Sequence, residues 1–181
     1  LVLVDVVEGI PQGKALDMMQ AGAVDGFSAK IIGTNDYKDT KNSDVVVITA
    51  GLARKPGMSR DDLIAKNSEI IKDVVSKVAS YSPDSVLLIV TNPLDAMTSY
   101  AQKISGFNKN RVIGMAPVLD SARMQYFIAS ELNVPIGSVH AEVMGSHGDL
   151  MVPVPRFSTV DGKSILEILP EEKIASIVSR T

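Results

Sequence analysis

The sequence contains no cysteine and no tryptophan, and only two histidines. Without cysteine there is no disulfide framework, and the chain suits a reducing compartment. Aromatic residues make up 4% of the chain, so its core must be built from Val, Ile, Leu, Ala and Met. A basic excess is also lacking: 18 Lys and Arg stand against 21 Asp and Glu, for a net charge of −3. That leaves no electrostatic case for nucleic acid or an anionic membrane as partner. No apolar run is long enough to span a bilayer. The opening "LVLVD" lacks the basic start and the length of a signal peptide. The first residue is not methionine, and the final "PEEKIASIVSRT" starts like a helix and stops without a cap. Both ends therefore read as those of a fragment. What remains is ordinary: 181 residues, 45% hydrophobic and 22% charged, fit a globular protein of one domain or a little more.

Hydrophobic periodicity alternates strand and helix through about residue 132. "LVLVD", "AKIIGT", "SDVVVITAG", "SVLLIVTNP" and "NRVIGMA" read as strands. The continuous β-branched runs among them suit parallel strands covered on both faces. Between them, "EGIPQGKALDMMQAG" reads as a helix ending at Gly22, Asp62 to Tyr81 as a second and "LDAMTSYAQKIS" as a third. "VLDSARMQYFIASEL" is a fourth helix, with Leu119, Ala122, Tyr126 and Ala129 expected on its inner side. This order implies βαβ units and a parallel sheet. Later strands, "VHAEVMG" and "LMVPVPRFSTV", lie closer together, as in an α+β region, with a turn at Asp161-Gly162 and a last helix from near Pro170. The architecture changes near residues 115–120, without a flexible tether.

Five groups invite chemistry. Asp5 ends a strand, where a carboxylate can accept the two hydroxyls of an adenosine ribose and repel a 2′-phosphate, favouring NAD over NADP. It can equally be solvated or cap the next helix. The loop "ARKPGMSR" carries Arg54 and Arg60 around a Pro-Gly turn. Two planar guanidinium forks on a closing loop suit a dicarboxylate, and a solvated basic loop is the plain alternative. Asn92 follows a buried strand, at the carboxyl end where parallel sheets bind ligands, or simply shapes the turn before Pro93. Asp120 and Arg123 lie three apart on one helix turn. Either they form a simple ion pair, or Asp120 orients an imidazole and Arg123 grips a substrate carboxylate. Finally, "GSHGD" places His147 between Gly145 and Gly148, as a turn residue or as a proton-transfer base with Asp149 or Asp120 beside it. His140, inside a strand, reads as structural. No metal site is expected.

Taken together and in order, "LVLVDVVEGIPQGKALDM", "ITAGLARKPGMSRDDLIAKN", "VTNPLDAMT", "RVIGMAPVLDSAR" and "GSHGDLMVP" resemble the malate/lactate dehydrogenase family over essentially the whole chain. Within that family the sequence is most similar to malate dehydrogenases of the lactate-dehydrogenase-like kind. The resemblance implies an NAD-binding Rossmann-type parallel sheet over residues 1–116 and part of an α+β substrate domain over residues 117–181. It implies that His147 is the proton acceptor and donor, paired with Asp120, and that Arg123 clamps the substrate carboxylate. Arg60 would polarise the reacting carbonyl. Arg54, where lactate enzymes typically carry Gln, would select malate. Asn92 would face both substrate and nicotinamide, while Asp5, Asn67, Val90 and Thr91 would contact the cofactor. The implied reaction is reversible oxidation of (S)-malate to oxaloacetate with NAD, a step of the tricarboxylic acid cycle, by a cytoplasmic homodimer or homotetramer. A lactate or other 2-hydroxyacid dehydrogenase, and a non-catalytic fragment of such an enzyme, are the alternatives.

Two departures from the family pattern stand out. Pro117 replaces a usual glycine before the Asp120 helix; it fixes φ and removes an N–H, and is expected to disturb the placing of Asp120 or Arg123. No Gly-rich phosphate loop precedes Asp5, although one belongs roughly 20 residues upstream. The resemblance implies about 30 further residues before Leu1 and about 100 after Thr181. A polypeptide of these 181 residues alone is therefore expected to bind NAD poorly and to show little activity.

Overall fold

The computed structural model describes every residue of the chain except Asp149. Strand β1 (Val2–Val4) leads into helix α1 (Ile10–Asp25) and then β2 (Ile32–Thr34), which pairs with β1 in parallel, Val2 opposite Ile32. The helix runs one turn past Gly22 and ends at Gly26, whose φ of 75° is the left-handed cap that glycine supplies. Gly22 serves packing instead of termination. A methyl group there would lie 2.6 Å from the Phe27 carbonyl oxygen, because the chain folds back over the last turn.

The next three strands are β3 (Val45–Ile48), β4 (Val86–Ile89) and β5 (Val112–Gly114), joined through α2 (Arg60–Tyr81) and α3 (Leu94–Ser105). They lie in sequence order and in parallel, with Ile48 opposite Ile89 and Ile89 opposite Gly114. One face of this sheet presents Ile48, Leu87 and Ile89 to Ile71, Val75 and Val78 of α2 and to Met97 and Ala101 of α3. Burial of side chains of this size stabilises by about 1.5–3 kcal/mol each. Alternation puts Val45 and Val47 on the other face, where both are exposed. β1 and β2 form one parallel pair, and β3, β4 and β5 a separate three-stranded parallel sheet. The fold is thus α/β with a Rossmann-type parallel arrangement.

Beyond β5 the pairing becomes antiparallel. Helix α4 (Pro117–Leu132) precedes β6 (Val139–His140), β7 (Val143–Gly145), β8 (Met151–Pro153), β9 (Thr159–Val160), β10 (Lys163–Ser164), α5 (Ile165–Ile168) and α6 (Glu171–Arg180). The two long strands expected here are each broken in two, because the chain changes partner: β6 pairs with β9, and β7 with β8. Pro153 and Pro155, which cannot donate to a ladder, mark the break after β8. Asp161 and Gly162, at φ 47° and 80°, make the tight turn between β9 and β10. A second core gathers Met124 and Ile128 of α4 with Val139, Val143, Val160, Ile165 and Ile177.

The inner face of α4 differs from the sequence expectation. Leu119 and Tyr126 are exposed, at 46% and 57%, and so is Ala122, whereas Ala129 is buried as expected, together with Asp120, Met124 and Ile128. Both i, i+3/i+4 stripes carry apolar residues, and the helix turns inward the one that contains the acid. Polar contacts select it: the Ser121 hydroxyl accepts the Val143 N–H at 3.1 Å and the Gln125 amide donates to the Val139 carbonyl at 3.2 Å. Pro117 occupies the first position of α4, where a missing N–H costs nothing. Asp120, three residues further on, keeps both partners described below.

Gly33 in β2 gives a direct test of how closely α1 approaches the sheet. A methyl group on Gly33 would collide with the Pro11 carbonyl and the Gln12 nitrogen. Gly33→Ala is expected to cost about 3 kcal/mol, the upper end for overpacking, read as a lowered midpoint in urea unfolding. An unchanged midpoint would contradict this packing.

Candidate active site

His147 lies at the tip of the β7–β8 hairpin. Gly145, at φ 88°, opens the turn, and a methyl group there would sit 2.5 Å from the Leu150 carbonyl oxygen. The Met151 N–H closes the turn on the Gly148 carbonyl at 2.9 Å. This geometry swings the imidazole over the first turn of α4, where Nδ1 lies 2.8 Å from Oδ2 of Asp120. The other oxygen of Asp120 accepts from Nη1 of Arg123 at 2.9 Å. Asp120 is 1% exposed, whereas His147 and Arg123 are 26% and 47% exposed. A carboxylate so buried is tolerable only when paired and hydrogen-bonded, and here one oxygen serves each partner. The Asp120–Arg123 spacing therefore forms an i, i+3 ion pair, and the same carboxylate also contacts the imidazole. With Nδ1 occupied, Nε2 is the ring nitrogen left to exchange a proton. Arg123 retains further N–H donors beyond the one spent on Asp120. Asp149, the other carboxylate considered for His147, lies outside the described residues.

Arg60 reaches the same hairpin, since a methyl group on Gly148 would lie 4.0 Å from its Nη2. It is the first residue of α2, and that helix end is firmly built. The Ser59 hydroxyl accepts the Asp62 N–H at 3.0 Å, and the Asp62 carboxylate accepts both the Ser59 N–H at 3.1 Å and its hydroxyl at 2.7 Å. This capping box was readable in "SRDD". Arg54 sits within the preceding loop, where its Nε donates to the Met58 carbonyl at 3.1 Å across a turn made by Gly57 at φ 81°.

A second cluster lies at the carboxyl ends of β3 and β4. The Thr91 hydroxyl donates to the Ala50 carbonyl at 2.7 Å, and its methyl group packs so close to Gly51 that a side chain on Gly51 would meet it at 2.5 Å. Asn67 of α2 is 1% exposed. Its Oδ1 accepts the Leu52 N–H at 2.8 Å, and its Nδ2 donates to the Leu52 carbonyl at 3.3 Å and to the Asn92 carbonyl at 2.6 Å. The Asn92 side chain stays exposed at the head of α3, before the cis bond to Pro93. Val90 continues the sheet by donating its N–H to Ile48. A cleft of about 300 Å³ separates the start of α3 at Leu94 from Pro117 and Gly145. The sequence reading passed over Gly51 and Ser121, and only the Gly ending a buried run hinted at the first.

Asp5 stands apart, at the carboxyl end of β1. Its Oδ1 accepts the Val7 N–H at 2.9 Å, and the Asn35 amide donates to its backbone carbonyl at 2.8 Å. A cleft of about 610 Å³ lies near Asn35 and Tyr37, and Asp5 is not part of its lining. His140 is exposed on β6, with Nε2 3.7 Å from Glu142. Among the described residues no cluster of three or more His, Cys, Asp or Glu could hold a metal, and no helix is long and apolar enough to cross a membrane.

Residues 1–114 match the lactate/malate dehydrogenase NAD binding domain, and residues 118–177 the lactate/malate dehydrogenase alpha/beta C-terminal domain. The malate dehydrogenase of Heliobacterium modesticaldum is 57% identical over 99% of the chain. The chain spans 58% of that relative's length. The malate dehydrogenase structure from Salinibacter ruber superposes with a TM-score of 0.91 at 49% identity, over 99% of this chain and 56% of that one. A lactate dehydrogenase from Cryptosporidium parvum, complexed with lactic acid and nicotinamide adenine dinucleotide, superposes with a TM-score of 0.89 at 43% identity, over 98% of this chain and 57% of that one.

The capping box that fixes Arg60 carries a pH signature. The Ser59 hydroxyl, and then its N–H, hold the Asp62 carboxyl below its ordinary value of 3.8. A depressed folded pKa contributes stability above the ordinary value, and that contribution is lost as pH falls through the folded value. NMR titration of Asp62 is expected to give a midpoint below 3.8, returning toward it in Ser59→Ala. A midpoint unmoved by Ser59→Ala would rule out this cap.

Proposed function

The chain belongs to the lactate/malate dehydrogenase family, and on that premise we propose that it forms the proton-transfer and substrate-binding part of an NAD-dependent malate dehydrogenase. The observation that carries this reading is the buried Asp120 carboxylate shared between His147 and Arg123. NAD, when bound, supplies the group that accepts hydride from C2 of malate and returns it to oxaloacetate. His147 takes the malate hydroxyl proton at Nε2 while Asp120 steadies the ring and the positive charge it gains. In the reverse direction the protonated ring gives that proton to the carbonyl oxygen, and Arg60 offsets the charge developing there. Arg123 grips the carboxylate beside C2, and Arg54 pairs with the second carboxylate. Asn92 holds the reacting oxygen side of the substrate. Asp5 accepts the ribose hydroxyls, with Val90, Thr91 and Asn67 near the cofactor.

In this reading residues 1–116 form the dinucleotide-binding part and residues 117–181 the catalytic part, in agreement with two separate cores. The reading also makes the full-length protein a cytoplasmic homodimer or homotetramer. Exposed apolar side chains along one flank of α4, Val118, Leu119 and Tyr126, support contact between copies.

The full-length gene product carrying this sequence is expected to oxidise NADH with oxaloacetate in preference to pyruvate. Absence of oxaloacetate turnover would sink the assignment. Arg54→Gln should lower kcat/KM for oxaloacetate by about 10–100-fold, as expected for a lost charge-assisted hydrogen bond, and move preference toward pyruvate. An unchanged ratio would favour a different 2-hydroxyacid. His147→Asn should cut kcat by about 10²–10⁴-fold with NADH affinity kept, as measured by fluorescence titration; unchanged turnover would return His147 to the role of a turn residue.

A further inference from the structure

The polar contacts between α4 and the segment that ends in His147 fall in order. Asp120 meets Nδ1 of His147 at 2.8 Å, the Ser121 hydroxyl accepts the Val143 N–H at 3.1 Å, and the Gln125 amide donates to the Val139 carbonyl at 3.2 Å. As the helix advances its partner recedes, so α4 and residues 139–147 run side by side in opposite senses. The two lower rungs grip backbone, and they therefore fix the path of the chain whatever side chains it carries. Val139 and Val143 are both buried, and a buried N–H or carbonyl must find a partner. The root of the β7–β8 hairpin is also held from its other side. The Ser158 hydroxyl accepts the Glu142 N–H at 3.4 Å, and the Glu142 carbonyl accepts the Val154 N–H at 2.9 Å.

Ser121 is the neighbour of Asp120 in the helix, and only residues 144–146 lie between Val143 and His147. The hydroxyl and the carboxylate thus close a small ring, in which the first holds the base of the hairpin and the second meets its tip. From this geometry we infer that Ser121 and Gln125 are positioning residues for proton transfer. They set α4 against residues 139–143, and that setting delivers the imidazole to Asp120. The inference rests on the malate dehydrogenase reading and deepens it. Reacting groups tolerate little displacement, since a misplacement of about 1 Å costs about 100-fold in rate.

Two deletions test it in the full-length protein, after wild-type turnover of oxaloacetate has been established. Ser121→Ala leaves the Val143 N–H without its acceptor and is expected to lower kcat by about 10–100-fold. Gln125→Ala, further from the imidazole, should lower it by about tenfold, the effect of one lost buried hydrogen bond. In both, KM for oxaloacetate and Kd for NADH should stay unchanged, and the solvent deuterium isotope effect on kcat should rise as proton transfer comes to limit turnover. In a His147→Asn background neither deletion should lower kcat further, because no imidazole is left to place. Unchanged kcat in both deletions, with at most a lowered thermal midpoint, would overturn the inference. Losses that persist in full without the imidazole would do the same, as would failure of both variants to fold. An inactive wild type would instead reject the malate dehydrogenase reading and is told apart at the first step.

Discussion

The arrangement of the site depends on one buried negative charge. Asp120 is almost fully out of water, and a carboxylate there must find partners on both oxygens or destabilise the fold by several kcal/mol. Arg123 answers from the same helix, one turn on, and His147 from a hairpin 27 residues away. The His147 contact of Asp120 acts with the Ser121 and Gln125 contacts to fix the rotation of α4 about its axis, so an apolar flank with Leu119 and Tyr126 faces outward while the flank with the acid faces in. It also brings the β7–β8 tip to the helix start. The same pairing that makes the burial tolerable leaves one imidazole nitrogen directed away from Asp120.

Around that charge the backbone approaches itself closely at a few points, each reserved for glycine. Gly145 lets the hairpin close on Leu150, Gly51 lets the end of β3 lie on Thr91, and Gly33 lets α1 settle on β2. Gly51 and Gly33 lie at or near the carboxyl ends of parallel strands, where such sheets offer their loops to ligands, and Gly145 ends a strand of an antiparallel hairpin. Precision at the loops is borrowed from the sheet beneath them.

Much of this was legible beforehand, and the reasons differ from element to element. The parallel strands announced themselves through β-branched runs such as "SDVVVITAG", and α2 and α3 through sustained periodicity. The order of motifs carried the family, and with it the set of candidate residues. Periodicity misjudged α4, since two flanks were apolar and the deciding contacts, from Ser121 and Gln125 to the β6 and β7 backbone, join residues 14 to 22 positions apart. It ran the strands after residue 139 together, because a change of strand partner leaves no mark in hydrophobicity. Residue identity could not choose between Asp120 and Asp149 as neighbour of His147; the contact with Asp120 spans two elements. The hydrogen bonds of Asn67 to Leu52 and Asn92 were equally invisible, being made to the backbone.

The loop that carries Arg54 is held from outside at both ends, by Asn67 at Leu52 and by the capping box at Ser59. Only residues 53–58 lie between the anchors, with Gly57 as their pivot. Neither anchor uses the side chain at position 54. The segment is thus an exchangeable cassette: on the function proposed above, a different residue at 54 would alter which acid is recognised, while the sheet, α2 and the Asp120–His147 pair keep their places with no refolding of the loop's supports.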